Sequence, residues 1–269
     1  MALIRCFQLL MLLGTLLFQA TLAPAALQGV KTLRFASIPD NPLDEVGVLL
    51  IRTIYDQLDI EVEILDIPPA RALTLLRQGH LDGSLARPEG FETRVDVAVP
   101  VPVRLSQVQV VGFARADRLA RLQTASTMPL RVGLLLGLPP HMNTAAHLHP
   151  VEAHTSRQLM AMADKAHVDL ALDVDVVGAH VIREDHLANL RIVTTPLRRI
   201  DVYHFLHQRH EALVPQVARV MTELQEDGTL ERMHQAFRER LDMDTITLPK
   251  EDLLSARQLQ LDLMAESAE

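Results

Sequence analysis

The sequence predicts an α/β protein built on a mostly parallel sheet with helices on its faces, and three observations support this class. In the first third of the chain, short β-type runs and amphipathic helical runs alternate in the order β-α-β-α-β. The second third repeats this alternation with strands of its own, and the last third is helical. Because parallel neighbours need crossover connections, such alternation indicates helices packed against a sheet.

Each element of the first third has a local reason. Asp44 is a plausible N-cap for a helix whose apolar residues share one face. The next helix begins at Pro69 and ends at Gly79, as the preference for proline at helix starts and glycine at helix ends predicts. The predicted elements are strand 32–37, helix 44–58, strand 60–66, helix 69–79, strand 80–86 and a strictly alternating strand 106–114.

The second and last thirds follow the same logic. A histidine-rich segment, 139–150, reads as irregular, and the long C-terminal helix ends at Gly228. The tail, 250–269, is predicted to form a short amphipathic helix. The other predicted elements are strands 130–136, 168–173 and 190–195 and helices 155–166, 211–228 and 229–241.

The first 25 residues have the pattern of a cleaved export signal. Arg5 supplies a positive start, 9–18 form an apolar run, and Ala23-Pro24-Ala25 gives a small-x-small cleavage pattern. An apolar run of ten residues is well short of the ~20 needed to span a bilayer, although a retained membrane anchor is the alternative reading. We therefore expect a periplasmic protein that begins near Ala26.

Composition and the absence of known motifs exclude several classes of function. The single cysteine, Cys6, lies in the predicted leader, so we expect no disulfide and no thiolate chemistry in the mature chain. Without Arg5 the chain has 25 basic and 34 acidic residues, and no basic block stands out. Nucleic acid is therefore not an expected partner. No dinucleotide fingerprint, phosphate-binding loop or G-x-S-x-G motif is present, so we expect no cofactor and no catalytic residue.

The histidines form two groups, and clustered histidines can bind a metal ion. The first comprises four histidines between His141 and His154, and the second runs from His204 to His210. On a helix, His204 and His207 would share a face and could bind Zn²⁺. No HExxH pattern or carboxylate at a fixed offset supports this reading, so we expect no metal site.

Several segments in order resemble the periplasmic solute-binding proteins of family 3, the polar amino-acid type, which have the two-lobed type II fold. Each segment alone is weak, whereas their order and spacing cover the chain from about Lys31 to Leu241. The segments are 76-LRQGHLDGSLA-86, 92-ETRVDVAVPVPV-103, 131-RVGLLLG-137, 156-SRQLMAMADKAHVDLAL-172 and 204–233.

The resemblance implies a ligand-binding arginine. Arg94 follows Asp82 by twelve residues, the family's spacing between its aspartate and the arginine that grips a ligand carboxylate. A planar guanidinium offers two parallel donors to a carboxylate, which lysine cannot copy. A branch of the superfamily with the pattern "P..RAL.l...G..DG...R" places Arg87 at the site as well. The alternatives are a solvated Arg94 paired with Glu92 or Asp96, and a loop role for Arg87.

Departures from the family pattern broaden the range of ligands that we expect. Leu138-Pro139-Pro140 replaces a usual hydroxyl residue and removes backbone donors. The family's second-lobe aspartate falls near Asp173 or Asp175, and Phe35 could offer an apolar wall. We therefore expect a small organic anion, an amino acid or another carboxylate, bound by Arg94, Arg87, Phe35 and Asp173.

The resemblance also implies an arrangement of lobes and a biological role. We expect lobe 1 at 28–114 plus 202–245, lobe 2 at 115–201 and a tail at 246–269, with crossings at 113–116 and 200–203. The implied protein is a monomer that serves ABC-type uptake through a membrane permease, or sensing through a receptor. The alternative is an exported dehydratase acting on a prephenate-type acid, which needs a positioned general acid.

Overall fold

The computed structural model describes residues 31–38, 41–123, 129–135, 143–144, 148–255, 257, 259 and 261–262. The predicted leader, the 138–140 segment and His141 lie outside these residues. Among the described residues, no helix combines the length and apolar character that crossing a bilayer requires. The fold is α/β, as the sequence predicts.

The strands are numbered in chain order. They are β1 (Thr32–Ser37), β2 (Glu61–Asp66), β3 (Gly83–Pro88), β4 (Ala98–Arg115), β5 (Leu130–Leu135), β6 (Asn143–Thr144), β7 (Leu148–Ala153), β8 (Leu170–Val174), β9 (Leu190–Ile192), β10 (Arg198–His207) and β11 (Leu261–Asp262). Short 3-10 segments are found at Phe91–Thr93, Ala116–Arg118, Gln208–Leu213 and Lys250–Asp252.

The α-helices are numbered in the same way. They are α1 (Pro42–Asp56), α2 (Pro69–Arg77), α3 (Leu119–Gln123), α4 (Ser156–Asp164), α5 (Asp175–Glu184), α6 (Val214–Glu226), α7 (Thr229–Arg240) and α8 (Met243–Ile246). The N-cap of α1 is Asn41, whose side chain accepts a hydrogen bond from the Leu43 amide. Asp44, predicted as the cap, lies instead in the first turn of the helix.

One mixed sheet of the described strands runs through the chain in the order β2-β1-β3-β10-β4-β8-β5-β7, with β9 also paired to β4. We call β2-β1-β3 with the adjoining parts of β10 and β4 lobe 1, and β7-β5-β8 with β9 and the end of β4 lobe 2. The chain therefore has the two-lobed architecture that the family resemblance implies. Strand β4 is the shared element, because it pairs with β10 over residues 98–110 and with β8 over residues 110–113.

The two lobes repeat one unit. In lobe 1 the Arg34 amide donates to the Asp82 carboxylate, and the Asp82 amide donates back to the Arg34 carbonyl, each at 2.8 Å. In lobe 2 Arg131 and Asp169 make the same reciprocal pair at 2.9 and 2.8 Å. In lobe 1, β1 pairs in parallel with β2 and β3, and in lobe 2, β5 pairs in parallel with β7 and β8.

The turn before each of these aspartates is also shared. Gly79 has a φ of 72° and Ala166 a φ of 56°, so both lie in the left-handed region. In each turn the next residue's amide donates at 2.8 Å to a carbonyl of the preceding helix. Glycine takes this conformation without a Cβ penalty, which is why Gly79 marks the end of the helix in the sequence and Ala166 does not.

Each lobe has its own apolar core. In lobe 1 the buried residues include Phe91, whose ring packs edge-on against Phe205 at 5.2 Å between centroids. The lobe 1 cluster comprises Ala36, Ile67, Ala72, Leu76, Leu81, Phe91, Val95, Ala98 and Phe205. The lobe 2 cluster comprises Ala114, Leu122, Leu130, Val132, Leu148, Leu170, Leu172, Val193, Leu197, Leu254 and Leu259.

Two predictions about local structure are wrong. His204 and His207 lie in β10, not on a helix, so steps of three residues place them on opposite faces. The tail is not an amphipathic helix in its described part: Lys250–Asp252 is a 3-10 turn and Leu254 pairs with Thr194. Leu254 and Leu259 are buried in lobe 2, so their positions reflect contacts that the sequence does not show.

His204 forms a buried polar pair in lobe 1. Its Nδ1 lies 3.1 Å from the Leu85 carbonyl oxygen, which can only accept, so Nδ1 carries the proton. Its Nε2 therefore accepts a hydrogen bond from the Tyr55 hydroxyl at 2.9 Å. Burial lowers the pKa of His204 to about 4, so the imidazole is neutral at pH 7.

We expect Tyr55→Phe to lower the free energy of unfolding by about 1–3 kcal/mol at pH 7.5. The change leaves the buried Nε2 of His204 without a donor, and an unsatisfied buried acceptor bears its full desolvation cost. Chemical denaturation measures the effect. The double variant Tyr55→Phe, His204→Phe removes both polar groups and should recover part of the loss, whereas additive losses would contradict the pairing.

Candidate functional site

The pairing pattern makes the carboxyl ends of the two sets of parallel strands face each other. Strand β3 is antiparallel to β10, which is antiparallel to β4, so β3 and β4 run in one direction toward lobe 2. Strand β8 is antiparallel to β4 and so points back toward lobe 1. In open α/β sheets, ligands bind at the carboxyl ends of the strands. The interval between the two edges is therefore the candidate site.

The register gives the scale of this interval. Pro88, at the end of β3, pairs with Val202, which pairs with Ser106 of β4. Val174, at the end of β8, pairs with Val110 of β4. The four positions from Ser106 to Val110 correspond to about 13 Å along the strand. Side chains from both edges reduce this span, which suits a small molecule rather than a polymer.

On the lobe 1 edge, Arg87 is held against a buried acid. Its Nη1 lies 3.8 Å from an Asp44 carboxylate oxygen, and its guanidinium carbon lies 6.0 Å from the centre of the Phe91 ring. Burial lowers the pKa of Arg87, and the charge of Asp44 opposes this shift. The guanidinium is thus a positioned cation whose charge is partly balanced within the lobe.

Asp44 is the residue that the sequence did not identify as a neighbour of Arg87. Its side chain is 1% exposed and accepts hydrogen bonds from the Ile38 amide at 2.6 Å and from the Asn41 side chain at 3.2 Å. Burial raises the pKa of Asp44, while the Ile38 bond and Arg87 lower it. An acidic residue in a first helical turn is common, so no sequence signal marks this one.

Arg94 lies near Arg87 along the chain but differs from it in exposure. It follows the 3-10 segment Phe91–Thr93, its amide donates to the Phe91 carbonyl, and its side chain is exposed. Within the described residues its guanidinium has no hydrogen bond or ion pair. Its carbonyl accepts a hydrogen bond from Arg77 at 3.0 Å. Arg87 and Arg94 therefore flank one short segment, and the first cation is half-buried whereas the second is exposed.

On the lobe 2 edge, Asp173 is a buried carboxylic acid with one unused oxygen. It is 3% exposed; one oxygen accepts from the Val174 amide at 2.7 Å, and Ser156 also donates to the carboxylate. The other oxygen has no hydrogen-bond partner among the described residues. Burial raises the pKa of Asp173 to about 6 despite these two bonds. Perturbed acids of this kind cluster at functional sites.

The next acid along the chain, Asp175, has a different binding partner from Asp173. It opens α5 and forms a 2.6 Å ion pair with Arg238 of α7. The sequence left the second-lobe aspartate open between Asp173 and Asp175, and their environments now differ. Each acid keeps one buried oxygen without a hydrogen-bond partner among the described residues, but Asp175 also binds a cation from α7, whereas Asp173 forms no ion pair with the described residues.

Phe35 lies in the core of lobe 1 rather than at a surface. Its ring is 0% exposed and packs against Tyr55 and His204 with centroids 5.8 and 5.3 Å away. It therefore offers no wall to a ligand in this structure. Strand alternation explains the position, since Phe35 lies mid-strand on the face that α1 covers.

Asp82, whose spacing to Arg94 supports the resemblance, has a structural role in lobe 1. Its carboxylate accepts from the Arg34 amide, forms an ion pair with Arg209 and is hydrogen-bonded to His210, at the junction of β3 with the 3-10 segment after β10. None of the described residues forms a group of three or more potential metal ligands.

No family model matches the chain, and no curated protein sequence matches it. Solved structures do. A probable amino-acid ABC transporter extracellular-binding protein from Bacillus subtilis superposes with a TM-score of 0.65 at 13% identity, covering 78% of this chain and 98% of its own.

Two further matches are a solute receptor and a sensor domain. The unliganded, open L-cystine solute receptor of Neisseria gonorrhoeae gives a TM-score of 0.60 at 14% identity, covering 83% of this chain and 98% of its own. A histidine kinase sensor domain similar to periplasmic binding proteins gives a TM-score of 0.59 at 18% identity, covering 77% of this chain and 96% of its own. These proteins are an extracellular-binding protein, a solute receptor and a sensor domain, and the likeness establishes the two-lobed type II periplasmic-binding fold for this chain.

Proposed function

We propose that this chain is an exported solute-binding protein that captures a small organic anion between its two lobes. One observation carries the proposal: the carboxyl edges of the two parallel strand sets face each other, and each ends in a positioned charged group. Arg87 lies at one edge and Asp173 at the other. The fold shared with solved binding proteins supports the same role.

Arg94 is assigned as the group that grips the anion. Its guanidinium is exposed and has no partner among the described residues, so no ion pair has to break when a carboxylate arrives. Two parallel N–H donors then bind the carboxylate bidentately. Arg87, already balanced by Asp44, is assigned to the floor of the site, where it adds positive potential without a second full charge.

Asp173 is assigned as the lobe 2 acceptor. Its unpartnered oxygen can accept from an ammonium or a hydroxyl group of the ligand, which would remove an unsatisfied buried atom. A ligand with a carboxylate at one end and such a donor at the other would contact both lobes. Contacts with both lobes are what drives hinge closure around a ligand. Phe35 has no role in this arrangement.

The strand pairing also suggests where the lobes meet. Residues 110–115 of β4 pair with β8 and β9, so we place the first crossing before Val110 rather than at 113–116. The second crossing falls in the first half of β10, within Arg198–Val202, whose partners are residues 106–110 of β4. The predicted crossing at 200–203 overlaps this range.

Export to the periplasm and delivery to a membrane partner complete the proposal. The 1–25 segment has the pattern of a cleaved signal, and the protein would act as a monomer that presents its closed form to a permease or a receptor. Similar solved proteins are named for both roles, as transporter binding proteins and as a kinase sensor domain. Uptake and sensing use the same closing motion.

We expect Arg94→Ala to abolish ligand-induced thermal stabilisation. A thermal-shift screen of the unaltered protein over amino acids, dicarboxylates and aromatic acids first identifies a stabilising compound. At a concentration 100 times its Kd, such a compound adds about 2.7 kcal/mol to the free energy of unfolding. The variant should lose this increment because the anion loses its bidentate partner.

Arg52→Ala is the matched control, because Arg52 is an exposed arginine of α1. It should keep the full thermal shift, and normal binding by Arg94→Ala would overturn the site assignment. Prephenate and arogenate belong in the same screen. Turnover of either would favour the dehydratase alternative, whereas a thermal shift without turnover would favour a binding protein.

A further inference from the structure

The chain crosses between the lobes a third time, near its C-terminus. Helix α7 belongs to lobe 1, where it packs against α1 and α6. A few residues later Thr247 pairs in parallel with Ile192, and Leu254 pairs in parallel with Thr194. Ile192 ends β9, a strand of lobe 2. The segment after α7 therefore joins the sheet of the other lobe.

Backbone hydrogen bonds fasten this segment to lobe 2. The Leu248 amide donates to the Ile192 carbonyl at 3.0 Å, and the Leu254 amide donates to the Val193 carbonyl at 2.8 Å. The Leu254 carbonyl in turn accepts from the Thr195 amide at 2.9 Å. Three such bonds extend the β9 edge by one more stretch of chain.

Apolar side chains anchor it further. Leu254 is 3% exposed and Leu259 is 0% exposed, and both belong to the core cluster of lobe 2. Leu248 packs against the same cluster. Detaching the anchor would expose these buried leucines to water, which is unfavourable in proportion to the apolar area exposed.

The connector between the lobes is short and folded. Only Leu241–Ile246 separates the end of α7 from the first pairing with lobe 2, and four of these six residues form α8. Leu241, Met243 and Ile246 are buried. A helical residue advances the chain by about 1.5 Å and an extended one by about 3.3 Å, so the connector lengthens only if α8 unwinds.

An ion pair lies at the same junction. Asp175, at the start of α5 in lobe 2, is paired with Arg238 of α7 in lobe 1 at 2.6 Å. Helix α8 contacts both α5 and α7. Side-chain and main-chain links therefore join the lobes at one place, away from the two crossings in β4 and β10.

We propose that Leu241–Leu254 is a tether that limits how far the lobes separate. Hinge bending about β4 and β10 alone would leave lobe 2 free to swing until its own contacts stopped it. The tether adds a third connection whose length is set by α8. Opening beyond that length requires unwinding α8 and exposing Met243 and Ile246, so the folded connector biases the protein toward the less open arrangements.

The test lengthens the tether without removing its anchor. Six Gly/Ser residues are inserted after Asp242, between α7 and α8. Spin labels on Glu63→Cys and Glu152→Cys report the distance between the exposed edge strands β2 and β7, in a background where Cys6 is absent or replaced by serine. Dipolar spectroscopy without added solute should show a broader distribution with a mean longer by several ångströms than in the chain without the insertion.

The matched control carries the same insertion after Asp59, a turn between α1 and β2 that lies within lobe 1. It should leave the distance distribution unchanged. A second variant, Leu254→Asn, weakens the anchor at full chain length and should broaden the distribution as well. Circular dichroism confirms that each variant is folded. Folded variants of both kinds with the unmodified distribution would overturn the proposal.

Discussion

Replacing Asp173 by asparagine should raise the free energy of unfolding at pH 7.5 by about 1–2 kcal/mol, in protein without added solute. The pKa of Asp173 is raised to about 6, so its ionised form is disfavoured in the folded state. A shift of two units is worth close to 3 kcal/mol at full ionisation, and an unpartnered amide group offsets part of that gain. Chemical denaturation curves measure the difference.

The stabilising effect of Asp173→Asn should depend on pH. A carboxyl group whose folded-state pKa is raised stabilises the protein fully below its unfolded value of 3.8, and this contribution is lost as pH rises through 6. The advantage of Asp173→Asn should therefore be absent near pH 3.5 and complete above pH 7. Asp66→Asn, which changes an exposed carboxyl group of β2, is the control and should stay within about 0.5 kcal/mol.

The same variant tests the binding role. Asp173→Asn should lose most of the thermal shift produced by a compound that stabilises the unaltered protein, because the proposed ammonium or hydroxyl acceptor has lost its charge. Greater stability together with weaker binding is the pattern of a functional residue that costs stability. A less stable Asp173→Asn at pH 7.5 would show instead that the carboxylate is well satisfied in the fold.

Asp82→Ala should lower the free energy of unfolding by about 3 kcal/mol at pH 7, because it removes the shared hydrogen-bond partner of Arg209, of His210 and of the Arg34 amide. Burial raises the pKa of Asp82, but hydrogen bonds from His210, Arg209 and the Arg34 amide outweigh it and hold that pKa well below the usual range. Such a group stabilises the fold above pH 3.8, and its contribution is lost as pH falls below that value.

Two companion variants sharpen this test. Asp82→Asn keeps an acceptor for the Arg34 amide and should cost less than Asp82→Ala, since only the charge is lost. A double-mutant cycle with Arg209→Met should give a coupling of at least about 1 kcal/mol, because the two side chains are in direct contact. A loss below 1 kcal/mol for Asp82→Ala would contradict the structural role of this carboxylate.

Local sequence signals predicted the regular parts of the fold well. The apolar face of α1, the Pro69 start of α2 and Gly79 at its end appear in the structure within a few residues of the predicted positions. These signals are local, because periodicity, capping and turn residues act within one or two helical turns. Strand β10 is the exception: the last third of the chain is predicted to be helical, but residues 198–207 form a strand, because a short apolar stretch does not by itself distinguish strand from helix.

Some residues of the candidate site could likewise be predicted from local sequence, and others could not. The spacing from Asp82 and the chemistry of guanidinium pointed to Arg94, and the position of Arg87 suggested that it too belongs to the site. The burial of Asp44 beside Arg87, the unpartnered oxygen of Asp173 and the full burial of Phe35 depend on residues far apart in the chain. No local pattern encodes such long-range contacts.

By itself, then, the sequence determined the α/β class, the order of most elements and the arginine-bearing segment 79-GHLDGSLARPEGFETRVDVAVPVPV-103, because each rests on patterns within about 25 residues. The tertiary structure alone decided that the two strand edges face each other, and that the C-terminal leucines anchor a third connection in lobe 2. The physical reason is that side-chain burial and strand pairing join distant parts of the chain, and their partners are known only once the chain is folded.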